Sequence, residues 1–300
     1  MAGRIRRTMN NEIYDPSVLE SIETRLSELT DQYAKSSPEL KAAINYSLLS
    51  GGKRLRALLV KAASQLIDPD NKNWIDCACA LEMMHCYSLI HDDLPAMDDD
   101  NLRRGKPTNH IQFDEATAIL AGDALLTMAF EVIANTSVND SIKIKQIQIL
   151  AHASGANGMV AGQAIDLAST NQEIDFEHLK TMHKLKTGAL ILASVQIGAL
   201  CEPNITPSQQ SALKQYAQNI GLGFQIIDDV LDVESDTQTL GKPQGSDSEA
   251  NKSTYVKHLG LQTAKDTALQ LIEQACEHIQ IFEHPQMLNN IALFVLNRKH

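Results

Sequence analysis

Positive charge is in deficit in this 300-residue sequence: 26 Lys and Arg stand against 37 Asp and Glu, a formal net charge of -11. Phosphate backbones attract basic patches, which argues against nucleic acid as the main partner. Cysteine is sparse too. The five that occur (Cys77, Cys79, Cys86, Cys201 and Cys276) form an odd set without metal-ligand spacing, pointing to reduced, mostly buried thiols and a cytoplasmic setting. Long apolar runs are missing. The longest, 189–200, is interrupted by Ser194 and Gln196 and falls short of the ~20 residues that a membrane span needs. No secretory signal is evident either, so no membrane span is expected. Aromatic residues make up 4% of the chain and β-branched runs are scattered, whereas Ala, Leu, Ile and Gln are plentiful. That balance favours helix over sheet.

The periodicity agrees. Val18, Ile22, Leu26, Leu29 and Tyr33 recur at helical spacing, and similar patterns predict helices over 18–33, 38–49, 53–67, 74–91, 114–134, 141–167, 175–200, 207–231, 261–280 and 286–296. Gly51-Gly52 closes the second, and Pro95 breaks the pattern that follows His91. No linker or low-complexity stretch divides these segments. The expected architecture is all-α, a single domain over 1–300 with about ten or more helices. Residues 1–8, basic and acid-free, are expected to be a disordered N-terminal extension, with Met9 as a candidate start. The longest irregular stretch, 234–253, is too rich in Asp, Lys and Gly to be mere spacer.

The acids are distributed unevenly over this frame. Asp92, Asp93, Asp98, Asp99 and Asp100 crowd the end of one apolar helix, and Asp228, Asp229 and Asp232 the end of another. Unit charges a few ångströms apart repel by about 1 kcal/mol in water, and by more where the dielectric falls. A cation is therefore expected between the two clusters, which should face each other across one cavity. Asp228 and Asp232 share a helix face. Asp92 and Asp98 would sit about 120° off-register on an ideal helix, so the turn at Pro95 has to bring Asp98 back, which predicts a helix that stops there. Magnesium suits such sites, being held by one or two carboxylates plus substrate phosphates and waters. Six carboxylates would be balanced by roughly three divalent ions, and a diphosphate bound with them would be matched by Arg103, Lys186 and Lys242. One acidic run alone reads as well as a solvated helix end; two in matching contexts weigh against that. The spacing of an EF-hand is absent. His91-Asp92 with His85 would also suit an all-α metal-dependent phosphohydrolase, a reading that leaves the basic motifs without a role.

A second anion site is suggested where there are no acids. In Gly51-Gly52-Lys53-Arg54-Leu55-Arg56, Lys53 and Arg56 would share one face at a helix start. Walker spacing is missing.

Taken in order, these stretches resemble the trans-isoprenyl diphosphate synthases, most closely those of the bacterial farnesyl type, over nearly the whole chain. The resemblance rests on residues 51–56, His85, the first Asp-rich motif with Arg103-Arg104-Gly105, Ala121-Gly122-Asp123 and Gly162-Gln163-Ala164-Ile165-Asp166. It continues through Lys186-Thr187-Gly188, the run from Phe224-Gln225 to Asp232, and Leu240-Gly241-Lys242. It implies an isoprenoid-synthase bundle around a deep central cavity and a magnesium-dependent prenyltransferase. Such an enzyme condenses isopentenyl diphosphate head to tail with dimethylallyl or geranyl diphosphate, by ionisation, condensation and elimination, to give farnesyl diphosphate. The resemblance assigns Asp92, Asp93, Asp98, Asp228 and Asp232 to magnesium and the allylic diphosphate, which Arg103, Lys186 and Lys242 also hold. Lys53, Arg56, His85 and Arg104 would hold isopentenyl diphosphate. Thr187 and Gln225 would be dipoles facing an allylic cation, and Gln163 and Asp166 would add cavity polarity. Tyr87, with Ser88, lies near the place where this family puts the floor that limits product length, about 7.5 Å below Asp92 at 1.5 Å per residue. A homodimer is expected, with Gly155, Gly158 and Gly162 allowing close helix packing. A geranylgeranyl synthase would differ mainly in cavity depth; a non-catalytic regulatory subunit is disfavoured because both acidic motifs are intact. Two departures stand out: Ser235, where many relatives have glycine, and the end Asn297-Arg298-Lys299-His300, only loosely similar to the family's basic tail.

Overall fold

The computed structural model describes residues 13–170, 172–234 and 253–298. Residues 1–8, Ser235, Lys242 and the final Lys299-His300 lie outside them. The described chain is helical almost throughout, as expected. Its helix starts are written in the local sequence: Asp15, Ser37, Asp114, Asn139, Asp175 and Thr254 each accept a backbone N–H of the first turn, satisfying donors that a helix cannot pair internally. In order these caps open α1 (Pro16–Tyr33), α2 (Pro38–Leu48), α6 (Glu115–Ala134), α7 (Asp140–Ser154), α9 (Phe176–His183) and α12 (Tyr255–Leu259). Between and after them lie α3 (Leu55–Ser64), α4 (Ile75–Asp92), α5 (Asn109–Gln112), α8 (Met159–Ser169), α10 (Ala189–Leu200), α11 (Pro207–Glu234), α13 (Leu261–His278) and α14 (Gln286–Asn297).

Helices α4 and α10 form the centre. Both are apolar around most of their circumference and most of their side chains are buried, the pattern of a helix enclosed by others. Gly198 lets α10 press onto α3, since a Cβ there would lie 2.3 Å from the Val60 carbonyl oxygen. Helix α6 packs on α4 but is only partly covered: Ile119 and Leu120 are 43% and 57% exposed.

Three departures from the sequence expectation bear on the site. The helix predicted over 141–167 is two, broken at Gly155–Gly158, where a Cβ on Gly158 would meet the Ala153 carbonyl oxygen at 2.1 Å. The helix predicted over 175–200 widens into a π turn, Lys184–Gly188, between α9 and α10. A small antiparallel hairpin, β1 (Leu102–Arg103) with β2 (Lys106–Pro107), follows the first acidic cluster.

Candidate active site

The first acidic cluster is a helix end folded back on itself. Helix α4 stops at Asp92, and after Pro95 the Asp98 N–H donates to the Asp92 carbonyl oxygen (2.9 Å) and the Asp99 N–H to that of Leu94 (3.2 Å). The bend expected at Pro95 is present. Neighbouring residues on a helix point about 100° apart, and the two leading acids part company here. Asp92 keeps its side chain 17% exposed, 4.0 Å from Lys186. Asp93 is buried and clasped by Arg103, whose Nε lies 2.9 and 2.8 Å from the two carboxylate oxygens and whose Nη2 lies 2.6 Å from one of them. Asp93 is thus the partner of Arg103 in this structure. Burial pushes the Asp92 carboxyl up to about 6, opposed by Lys186 and reinforced by Asp98.

The hairpin turns two adjacent arginines to different partners. Its turn residues, Arg104 and Gly105, both have positive φ (53° and 74°), as a two-residue type I′ turn requires. Arg103 serves Asp93, with Asp100 3.7 Å away. Arg104 donates to the Gly51 carbonyl oxygen and lies 3.3 Å from Ser50 Oγ. Gly52 lies beneath it with φ 129°, a backbone conformation that side chains rarely adopt. The hairpin thus joins the acidic cluster to the basic stretch at 51–56.

On the basic side the helix starts later than expected, at Leu55. Arg54 precedes it with φ 47°, buried and paired with Glu23 (2.7 Å), Glu82 (3.2 Å) and the Leu48 carbonyl oxygen (2.6 Å). Lys53 therefore precedes the helix and does not share its face with Arg56; it is exposed, 5.8 Å over the Phe294 ring. Arg56 lies within the helix, its Nε buried without a partner among the described residues. Desolvation and the nearby Arg56, Arg104, Arg103 and Arg54 hold His85 well below the usual histidine range, so it is neutral. A cavity of about 40 Å³ is lined by His85, Asp93, Arg103 and Arg104.

The second cluster repeats the division seen in the first. Asp228 has its side chain 44% exposed and lies 2.6 Å from Arg298, whose guanidinium sits 3.6 Å over the Phe224 ring. Asp229 is 3% exposed; one oxygen accepts the Tyr255 N–H (2.7 Å) and the other the Gln225 amide (3.3 Å). Asp232, one turn beyond Asp228, is half-buried on the same helix face.

The π turn connects the two clusters. Lys186 lies 2.6 Å from Asp166 and 4.0 Å from Asp92. Burial alone would lower its pKa, but Asp166, Asp92 and Asp98 outweigh that and raise it. Thr187 donates to Gln225 Oε1 (3.3 Å). Lys186 thus reaches the first cluster and Thr187 the second. Gly162 makes room for the turn: a Cβ there would lie 2.1 Å from the Lys186 backbone nitrogen, so this glycine packs within the chain. Both amide atoms of Gln163 are buried without a partner among the described residues. Asp166, Lys186, Thr187, Gln225 and Asp229 line a chamber of about 150 Å³. A larger cavity, about 900 Å³, is lined by other residues, among them Lys145, His152, Leu192 and Leu222.

Among the described residues no three His, Cys, Asp or Glu side chains converge as a ready metal cage. What each cluster offers is carboxylate oxygens in ones and twos, the set magnesium takes when phosphates and waters complete its shell. Asp92 with Asp98, and Asp228 with Asp232, fit that mode.

The family model described as polyprenyl synthetase matches residues 37–291. The chain is 44% identical over 287 residues to the farnesyl diphosphate synthase of Haemophilus influenzae, covering 94% of this chain and 97% of that protein. It is 47% identical over 256 residues to the farnesyl diphosphate synthase of Escherichia coli, covering 84% and 85%. Its structure is similar to that of a geranyltransferase from Legionella pneumophila, with a TM-score of 0.86, 36% identity, and 97% and 98% of the two chains covered.

Proposed function

The chain belongs to the polyprenyl synthetase family, and from that premise we propose a prenyltransferase that condenses isopentenyl diphosphate with dimethylallyl or geranyl diphosphate to give farnesyl diphosphate. One observation carries the reading. Acids lie on both sides of Lys186 and Thr187, while in a separate group of cations, tied to them by one hairpin, the acids Glu82 and Asp93 are already paired with Arg54 and Arg103. The asymmetry matches the chemistry. Only the allylic diphosphate leaves, so only its oxygens gain charge in the transition state.

Magnesium, which enzymes of this family use, supplies positive charge to that leaving diphosphate when bound. Asp92, Asp98, Asp228 and Asp232 would hold it. Arg103, fixed by Asp93, and Lys186 meet the same diphosphate, together with Lys242 from outside the described residues. The carbon–oxygen bond breaks and the diphosphate takes the electron pair. The Thr187 hydroxyl oxygen and the Gln225 carbonyl oxygen face the allylic cation that remains, in a chamber lined by few waters' worth of space. The isopentenyl double bond attacks that carbon, and loss of a proton to the departed diphosphate restores the alkene. Lys53, Arg56, neutral His85 and Arg104 only position the second substrate, for which fixed donors suffice. Incubation with isopentenyl and dimethylallyl diphosphates and magnesium should give a fifteen-carbon product; no prenyl product would refute the reading.

Tyr87 and Ser88 are assigned to product length. Tyr87 is 6% exposed and stands edge-on to His91, ring centroids 5.7 Å apart. Tyr87→Ala should lengthen the main product by one or more five-carbon units, measured by mass spectrometry of the dephosphorylated alcohols; an unchanged distribution removes Tyr87 from this role.

Arg298 stands between the subsites, on Asp228 and close enough to Lys53 to repel it. Deleting residues 298–300 should raise the KM for isopentenyl diphosphate by about 3- to 10-fold, the size of a lost charge-assisted contact, with kcat less affected in steady-state assays. We further assign the exposed face of α6 around Ile119 and Leu120 to a homodimer contact, and the whole chain to one synthase domain. The buried thiols of Cys77, Cys79, Cys86 and Cys201, free of disulfides, support a cytoplasmic setting.

A further inference from the structure

Gln225 presents two chemically opposite ends, and nothing in its own shape decides which one faces the chamber. Its neighbours decide. On one side Asp229 Oδ1 receives the Gln225 Nε2 group (3.3 Å), while Oδ2 of the same carboxylate receives the Tyr255 N–H (2.7 Å). On the other side the Thr187 hydroxyl donates to Gln225 Oε1 (3.3 Å). A carboxylate that accepts on both oxygens can only be met by the NH2 end of an amide. Reversing the amide would set two acceptor oxygens against each other at a residue only 3% exposed, where the repulsion is poorly screened.

We propose that Asp229 is a positioning residue that fixes the orientation of the Gln225 amide, so that its carbonyl oxygen and not its NH2 group faces the allylic carbon. The inference rests on the enzymatic reading above, in which positive charge develops at that carbon. It gives Asp229, which lines the chamber beside Gln225, a part in setting the polarity of that neighbour. The first pair has the same construction, with Asp93 holding Arg103.

Asparagine at this position makes a sharp test, because it has one acceptor and one donor. With its oxygen kept on the Tyr255 N–H, its NH2 group faces Gln225, which must then turn its own carbonyl away from the chamber. Asp229→Asn therefore preserves the anchor and inverts the amide. The probes are two unreactive prenyl diphosphate analogues with magnesium, one bearing an ammonium group at the reacting carbon and the other a neutral group of the same shape. Transition-state-like charge should be felt only by the first. Asp229→Asn should weaken the ammonium analogue by about 10-fold, a modest fraction of the loss typical of a deleted electrostatic group, while changing the neutral analogue less than about 2-fold. Asp229→Glu, which keeps acceptor-only character, should restore the preference for the charged analogue. In a Gln225→Met background, Asp229→Asn should add no further loss, because the two residues act as one unit.

Equal weakening of both analogues, or an undiminished Asp229→Asn effect in the Gln225→Met background, would overturn the proposal and leave Asp229 as an anchor for the chain at Tyr255. Circular dichroism checks the fold; if Asp229→Asn is unfolded, Asp229→Ser, which offers Tyr255 a hydroxyl acceptor and Gln225 no anion, carries the same comparison. A wild-type protein that makes no prenyl product would sink the enzymatic reading and this inference with it. A productive wild type with an Asp229→Asn variant of unchanged charge preference would sink this inference alone.

Discussion

Asp92→Ala and Asp228→Ala should each lower turnover by at least about 1,000-fold, the scale expected when an essential electrostatic group in a reaction site is removed, with the helical fold intact. Asp92 faces Lys186, Asp228 is the more exposed member of its pair, and each sits on a long helix. Their effects on stability should have opposite signs. The Asp92 carboxyl is pushed from 3.8 up to about 6, first by burial. A raised carboxyl pKa contributes stability that is fully present below the unfolded value and lost as pH rises through about 6. At pH 7.5, with no metal or substrate present, Asp92→Asn should therefore be more stable than wild type, by on the order of 1–3 kcal/mol. The difference should vanish near pH 4. Asp228→Ala removes the carboxylate that balances the buried guanidinium of Arg298 and should be less stable than wild type, since an uncompensated buried charge is costly. Thermal melts from pH 4 to 8, alongside steady-state assays, check both halves. Near-normal activity in either alanine variant would defeat the assignment of these acids.

Gly162→Ala should be nearly as damaging without touching a charge. The added methyl would lie 2.1 Å from the Lys186 nitrogen and 2.5 Å from its Cα, and those are backbone atoms that cannot rotate away. Either α8 backs off or the π turn shifts. Overpacking of this kind costs about 1–3 kcal/mol or more, and a displacement near 1 Å of a positioned group can reduce rates about 100-fold. The variant should melt lower and turn over slowly. Binding of an unreactive allylic diphosphate with magnesium should weaken as well if Lys186 holds that group as proposed. A Gly162→Ala protein with wild-type melting and kinetics would show that the two backbones are not in contact.

Much of this was legible beforehand because it depends on spacing. Asp228 and Asp232 share a face by helix geometry alone, and Pro95 between Asp92 and Asp98 could hardly leave a straight helix. The all-α frame follows from apolar periodicity, and most predicted helix ends lie within a few residues of the observed ones. What could not be read were choices between chemically identical neighbours. Adjacent aspartates on a helix must diverge, yet nothing in Asp92-Asp93 or Asp228-Asp229 says which one turns inward; Arg103 and Tyr255 settle it from elsewhere in the chain. The break at Gly155–Gly158 was hidden by apolar residues that keep helical spacing on both sides. The π turn is set by close approach to Gly162, a tertiary effect. The burial of Arg54 between Lys53 and Arg56 is likewise unreadable, because the left-handed backbone that produces it leaves no mark in composition.

The hairpin that separates Arg103 from Arg104 also acts as a gauge. In most two-substrate sites the spacing between the substrates is an outcome of packing and drifts as packing relaxes. Here two residues joined by a single peptide bond, consecutive Cα atoms about 3.8 Å apart, reach from a type I′ turn toward Asp93 and Gly51, on the sides of the two proposed diphosphate subsites. The offset between donor and acceptor is thereby written in covalent geometry. It would survive breathing of the surrounding helices, and a one-residue insertion at Gly105 would throw the two ends out of step even if every other contact re-formed.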